Sequence, residues 1–203
     1  MGGIVSNIVK SNQNIPVKSD FSFGQIIGVG GFGIVREICR LYDDEFFVMK
    51  EFNLQKIIKT KNTSPTVILN ELSSLQLISH HPYIIRLYAA FRDHHTVYFV
   101  MDMLSGGDLR LNIRLGEKFS ECQTSYVIGC IGSALQHIHR HGIIHRDVKP
   151  ENIMFNFSGV PKLIDFGISH TFSSNVGVCQ RQSGTKEYLA PENLTATHYH
   201  GFE

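Results

Sequence analysis

The chain has 203 residues, 42% of them hydrophobic and 18% charged, with a formal net charge of +1. Enough apolar residues to build a core exclude wholesale disorder, and a near-neutral charge without a basic cluster excludes a nucleic-acid or polyanion footprint. Four scattered cysteines (Cys39, Cys122, Cys130, Cys179) lack zinc-ribbon or CxxC spacing, which reads as free thiols in a reducing cytoplasm.

In chain order, residues 1–20 are polar and read as a flexible arm. Phe21 to Val35 reads as strand, glycine turn, strand, and Phe46 to Phe52 as a strand rich in aromatic and branched residues. Lys56 to Pro65 reads as a loop or short helix. Thr66 to Ser79 carries Val67, Ile68, Leu72, Leu75 and Ile78 at the spacing of one helical face. Tyr83 to Phe91 and Thr96 to Met103 read as two more strands. Glu121 to Arg140 reads as a long amphipathic helix with Tyr126, Val127, Cys130, Ile131, Ala134, Leu135 and Ile138 on one stripe. Ser120-Glu121 is its start signal and Gly142 its stop. His137, His139, His141 and His145 invite a metal reading, but spacing by two spreads neighbouring side chains around a helix, and no acidic or Cys partners accompany them.

Five stretches carry chemistry. Gly28-Val29-Gly30-Gly31-Phe32-Gly33, followed by Val35, lies between strand-like runs. Glycines there admit phosphates close to the backbone, although a tight hairpin without a ligand has the same composition. No helix follows, which argues against a dinucleotide-binding turn. Val48-Met49-Lys50 places a lysine in an apolar strand; it either snorkels to the surface or finds a carboxylate, for which Glu71 on the next helix is a candidate. Otherwise Glu71 is an ordinary solvated position. His145-Arg146-Asp147-Val148-Lys149-Pro150-Glu151-Asn152 sets a base, an ammonium and an amide on one loop, as phosphoryl transfer requires. Leu163-Ile164-Asp165-Phe166-Gly167 ends an apolar strand on a carboxylate suited to a hard cation. Gly184-Thr185-Lys186-Glu187-Tyr188-Leu189-Ala190-Pro191-Glu192 is the fifth.

Together, in this order and at these intervals, these motifs resemble the eukaryotic protein kinase pattern over about residues 21–203. Lys149 two residues after Asp147, and the Gly184-Thr185 pair, are similar to the Ser/Thr branch. The resemblance implies an α+β two-lobed fold: an antiparallel N-lobe sheet with one long helix and a hinge (21–104), then an incomplete helical C-lobe (105–203). It implies transfer of the γ-phosphate of ATP–Mg²⁺ to protein Ser/Thr hydroxyls. Asp147 would accept the hydroxyl proton and Lys149 steady the γ-phosphate; Asn152 and Asp165 would hold Mg²⁺. Ile27 would open the glycine loop, and Gly28, Gly30 and Gly33 would cover the phosphates. Lys50 would bind the α/β-phosphates and pair with Glu71. Met101 would be the gatekeeper, backbone groups of Asp102 and Leu104 would meet adenine, Asp108 would reach the ribose, and Val35, Val48 and Met154 would sandwich the base. Leu75, Leu87, His145 and Phe166 match the apolar spine of an active kinase.

SGGDLR, the DFSFGQIIG opening and the Gly2 terminus resemble the YANK branch of the AGC group, while the interval from Glu71 to HPYIIRLY is similar to calmodulin-dependent kinases. AGC kinases carry a phosphorylatable Thr four residues before the Thr of the GT pair; Arg181 stands there, leaving Arg146 without that partner unless Ser183, Ser173, Ser174 or Thr171 substitutes. The family continues past APE with roughly a hundred helical residues, opening with Asp-x-Trp. This sequence ends at Glu203 and has no Trp, so it reads as a fragment of an active kinase, weakly active by itself; the alternative is a non-catalytic nucleotide-binding or regulatory module. Met1-Gly2-Gly3-Ile4-Val5-Ser6 fits the N-myristoylation pattern, which with only Lys10 and Lys18 nearby implies at most weak, reversible membrane association of a cytoplasmic protein. No apolar run approaches the ~20 residues of a membrane span, and no secretory signal opens the chain.

Overall fold

The computed structural model describes residues 16–30, 33–59, 66–116, 118–172, 178–179, 184–191 and 199–200. Gly2, Ser6, Gly31, Phe32, Ser173, Ser174, Arg181, Ser183, Glu192 and the end from Gly201 lie outside them. The chain divides into two compact units, one running to Thr66 and resuming over Arg86–Met103, the other comprising Val67–Ile85 and the chain from Leu104.

The first unit is a five-stranded antiparallel sheet of β1 (Phe21–Val29), β2 (Gly33–Arg40), β3 (Phe46–Asn53), β4 (Leu87–Arg92) and β5 (Thr96–Asp102), in the order β1-β2-β3-β5-β4. Alternation sends Phe47 and Met49 of β3 to one face, where they join Phe21, Ile38, Phe91, Tyr98 and Val100 in a buried cluster. Burial of each such side chain stabilises the sheet by about 1.5–3 kcal/mol. After β3 the chain turns into the short helix α1 (Leu54–Lys59), begun by the Asn53 carboxamide, whose oxygen accepts from the Lys56 amide at 3.0 Å; the rest of the expected loop-or-helix segment, 60–65, lies outside the described residues. The expected strand from Tyr83 is shorter, because Tyr83–Ile85 belongs to the other unit: the Ile85 amide donates to the Leu163 carbonyl at 3.0 Å, and the Leu163 amide to the Tyr83 carbonyl at 2.9 Å.

In the second unit, α2 (Thr66–Ile78) buries Ile68, Glu71, Leu72, Ser74, Leu75 and Ile78. After α3 (Leu109–Arg114), α4 spans Glu121–Arg140, the span expected from its periodicity. Its start is a capping box in which the Ser120 hydroxyl accepts from the Gln123 amide at 3.2 Å and the Gln123 side-chain oxygen accepts from the Ser120 amide at 2.8 Å. Gly142 ends the helix with φ of 69°, a left-handed conformation that favours glycine. The buried stripe is Val127, Cys130, Ile131, Ala134 and Ile138. Tyr126 is exposed and Leu135 half-buried, because both sit at the margins of that stripe. Short strands follow: β6 (Ile143–Ile144) pairs β9 (His170–Thr171), β7 (Ile153–Phe155) pairs β8 (Pro161–Leu163), and β10 (Val178–Cys179) pairs β11 (Tyr199–His200).

The histidine spacing needs a correction. His137 and His141, four residues apart, share a helical face, with ring centroids 4.5 Å apart, and the His81 ring lies tilted beside His137 with centroids 4.8 Å apart. No group of three or more His, Cys, Asp or Glu among the described residues is placed to hold a metal, and none of their helices is long and apolar enough to cross a membrane.

Candidate active site

In the first unit, register decides which residues share a face. Gly28 lies opposite Val35, Val35 opposite Lys50, Lys50 opposite Phe99, and Val48 opposite Met101, so these residues line the sheet face away from the Phe47–Met49 cluster. The loop is pinched by the Gly30 amide donating to the Gly33 carbonyl at 2.9 Å, and Ile27 is half-exposed on β1 beside a break in register. Gly33 passes so close to β3 that an added Cβ would sit 1.8 Å from the Glu51 carbonyl oxygen. Lys50 is half-buried, with its ammonium 5.1 Å from the centre of the Phe52 ring.

Asp102 is more committed than its sequence position implies. Its amide donates to the Arg86 carbonyl at 3.2 Å, so that amide is already engaged and is not open to a base. Its carboxylate accepts from the Arg86 amide and the Tyr88 hydroxyl, each at 2.9 Å. Burial, then that carboxylate, pushes the Tyr88 phenol up to about 12.

In the second unit the loop after β6 assembles a polar cluster. The Asp147 carboxylate takes the Lys149 ammonium at 2.7 Å on Oδ2 and the Thr185 amide and hydroxyl at 3.0 and 2.8 Å on Oδ1. Asn152 donates through Nδ2 to the Asp147 carbonyl at 2.8 Å and to Oδ2 at 3.0 Å, and Lys149 also donates to the Thr185 hydroxyl at 2.7 Å. Burial raises the Asp147 pKa, but the Lys149 and Thr185 hydrogen bonds outweigh it, and the carboxyl stays below its ordinary value. In the sequence Thr185 marks only a similarity to the Ser/Thr branch; its hydroxyl joins the Asp147 carboxylate to the Lys149 ammonium.

His145 holds this loop to the strand before Asp165. It is buried; its Nε2 donates to the Ile164 carbonyl at 2.9 Å, and its Nδ1 accepts from the Asp147 amide at 3.3 Å. Burial lowers its pKa and keeps it neutral, the state that lets one nitrogen donate and the other accept. The Ile164 amide donates to the Asn152 carbonyl at 2.9 Å. These bonds bring Asp165 beside Asn152 along the backbone. Phe166 is buried, edge-on to His145 with centroids 4.8 Å apart, and Leu75 is buried on α2. Leu87 is half-buried in the first unit. Arg146 and Asp165 adopt positive φ, 69° and 61°, and Arg146 Nε donates to the Ile168 carbonyl at 2.6 Å.

The remaining residues form a braced loop beside β7. Leu104 is buried. The Gly106 amide donates to the Phe155 carbonyl at 2.8 Å, and the Phe155 amide to the Gly107 carbonyl at 2.9 Å. Asp108 bridges Met154 in the backbone and caps α3, accepting from the Leu111 amide at 2.7 Å, so one carboxylate oxygen is occupied in building the fold.

The protein kinase domain family matches residues 21–203. The chain is 37% identical over 194 residues to Protein kinase 2 of Dictyostelium discoideum, covering 96% of this chain and 40% of that protein. It is 33% identical over 180 residues to Protein kinase C epsilon type of Rattus norvegicus (89% and 24%). To Serine/threonine-protein kinase Sgk1 of Fundulus heteroclitus it is 34% identical over 188 residues (93% and 43%). It thus spans less than half the length of each of these relatives. With the strand-face residues in register, the Asp147 cluster formed and the match running from Phe21 onward, the chain belongs to the protein kinase family.

Proposed function

We propose that this chain carries the catalytic residues of a Ser/Thr protein kinase that uses ATP and Mg²⁺. The observation that carries the reading is the Asp147 carboxylate, held ionised and oriented by Lys149, Thr185 and Asn152. A substrate hydroxyl donating to Asp147 would be aligned for attack on the γ-phosphorus and would give up its proton there as the new O–P bond forms and the P–O bond to the leaving ADP breaks. Lys149 neutralises charge on the transferred group.

The oxygen donors suit a hard cation. Asn152 spends its NH₂ on Asp147, which leaves its carbonyl oxygen turned the other way, and Asp165 supplies a carboxylate on the adjoining strand end. Mg²⁺ held by these two would neutralise the phosphate oxygens. Gly28, Gly30 and Gly33 are assigned to the phosphates with Lys50, and Ile27, Val35, Val48, Met101, Leu104 and Met154 to the base. Asp102 contributes its carbonyl, and Asp108 reaches the ribose with the oxygen that α3 does not use.

The two lobes we assign are 21–104 and 105–203. Reversible membrane association through Gly2 rests on the sequence motif alone; mass spectrometry of the native N-terminus finding unmodified Gly2 removes it. The main test is transfer of labelled γ-phosphate to Ser/Thr peptides by the whole protein. Incorporation that needs Mg²⁺ and is abolished by Asp165→Asn supports the assignment. Nucleotide binding without turnover would make the protein a non-catalytic binding module instead.

A further inference from the structure

Two buried serines join α2 to the segment that carries Asp165. Ser74 Oγ lies 3.1 Å from Ser169 Oγ, and Ser169 Oγ donates to the Phe166 carbonyl at 2.8 Å. Both residues are almost fully buried, 1% and 3% exposed, so water does not replace these bonds cheaply. A hydroxyl has one proton. Ser169 spends its proton on Phe166, so Ser74 is the donor to Ser169, and the chain of bonds runs in one direction from α2 to the Phe166 carbonyl.

That carbonyl belongs to the Phe166–Gly167 peptide, which is a rigid plane. The Ser169 amide also donates to it, at 3.1 Å. At the other end of the same plane, the Gly167 amide donates to Asp165 Oδ1 at 3.3 Å. Holding the carbonyl end therefore aims the N–H end at the Asp165 carboxylate. One turn before Ser74, α2 presents Glu71 to the same segment: a Cβ added at Gly167 would meet Asp165 Oδ1 at 3.2 Å and Glu71 Oε2 at 3.6 Å.

We propose that Ser74 and Ser169 are positioning residues for the metal-binding carboxylate of Asp165, acting through the Phe166–Gly167 peptide. The proposal rests on the kinase reading above. It makes the position of α2 a determinant of how Asp165 is oriented, through a polar connection distinct from the burial of Leu75 and Phe166.

The test uses the whole protein and reads Mg²⁺ and nucleotide separately. Binding of a non-hydrolysable ATP analogue is titrated with Mg²⁺ by calorimetry for wild type, Ser74→Ala, Ser169→Ala and Ser169→Thr, and amide exchange over 165–169 is followed without nucleotide. Partners that orient a metal ligand affect metal affinity by about ten- to a hundredfold, so Ser169→Ala should raise the half-saturating Mg²⁺ by roughly tenfold. Its metal-free affinity for the analogue should not change. Ser74→Ala should show a smaller rise, because Ser169 keeps its bond to Phe166; it carries the test if Ser169→Ala fails to fold. Ser169→Thr, which keeps the hydroxyl, should move back toward wild type. Faster exchange at Gly167 should accompany the rise. An unchanged Mg²⁺ requirement, with any loss confined to thermal stability, overturns the proposal and leaves the kinase assignment intact. Failure of the wild type to bind Mg²⁺–nucleotide overturns both.

Discussion

The Asp147 carboxylate is pushed toward protonation by burial and pulled back by a lysine and a threonine, and the balance can be tested one group at a time. Asp147→Asn keeps the shape of the site but cannot take a proton. General-base contributions of about 10²–10⁴-fold set the expected loss of turnover, with analogue binding retained. Thr185→Val removes the hydroxyl that donates to Oδ1, so the ionised base is less favoured and the acid limb of the pH–rate profile should move to higher pH; an unmoved limb would mean that Thr185 does not tune the base. Asp147, Lys149 and Asn152 were legible in the sequence because one short loop holds them. Thr185 was not assigned to the site, because it is 38 residues from Asp147 and only the return of the chain brings its hydroxyl to the carboxylate. The pair Ser74 and Ser169 is hidden more deeply, 95 residues apart, and neither serine stands out by type.

At the scale of elements, local signals decided the ends of α4. Ser120→Ala deletes the side chain that accepts from the Gln123 amide and should cost about 1 kcal/mol, read from a lower urea midpoint at unchanged slope. Gly33→Ala tests a contact that local sequence cannot reveal. The new methyl would press on the β3 backbone at Glu51, and overpacking of this kind costs about 1–3 kcal/mol. A Gly33→Ala protein of wild-type stability would show that β2 and β3 separate easily at this point. The sequence makes the β4 segment too long because Tyr83–Ile85 is apolar like a strand, yet Tyr83 lies in a turn and Ile84 makes only an isolated bridge to Leu163, with which Tyr83 and Ile85 share their backbone hydrogen bonds. Hydrophobic pattern identifies extended chain but not its partner.

Across the whole molecule, burial lowers the pKa of His81, His137, His139, His145 and His170. The folded protein therefore holds these protons less tightly than the unfolded chain does. As pH falls below the free-histidine value of about 6.5, the unfolded state takes up more protons and stability declines. Thermal unfolding should occur at a lower temperature at pH 5.5 than at pH 7.5. Asp147, with its pKa already below the ordinary carboxylate value, stays ionised over that window and does not produce the decline. A midpoint independent of pH in this range would show that these rings are accessible to protons in the folded state.

The motifs and their order along the chain determined the family by themselves, and hydrophobic period and capping signals, being properties of neighbouring residues, located β3, α2, β5 and α4 to within about one residue; α3 and the short strands β6 to β11 were not legible that way. Tertiary structure alone decided that Asp102 spends its amide and carboxylate on Arg86 and Tyr88, that Asp108 caps α3, and that Thr185 completes the Asp147 cluster. It also decided that Ser74 meets Ser169 and that the Ser169 hydroxyl donates to the Phe166 carbonyl. A hydrogen bond is chosen by distance and direction in space, and residues far apart in sequence carry no mark of it until the backbone has brought them within reach.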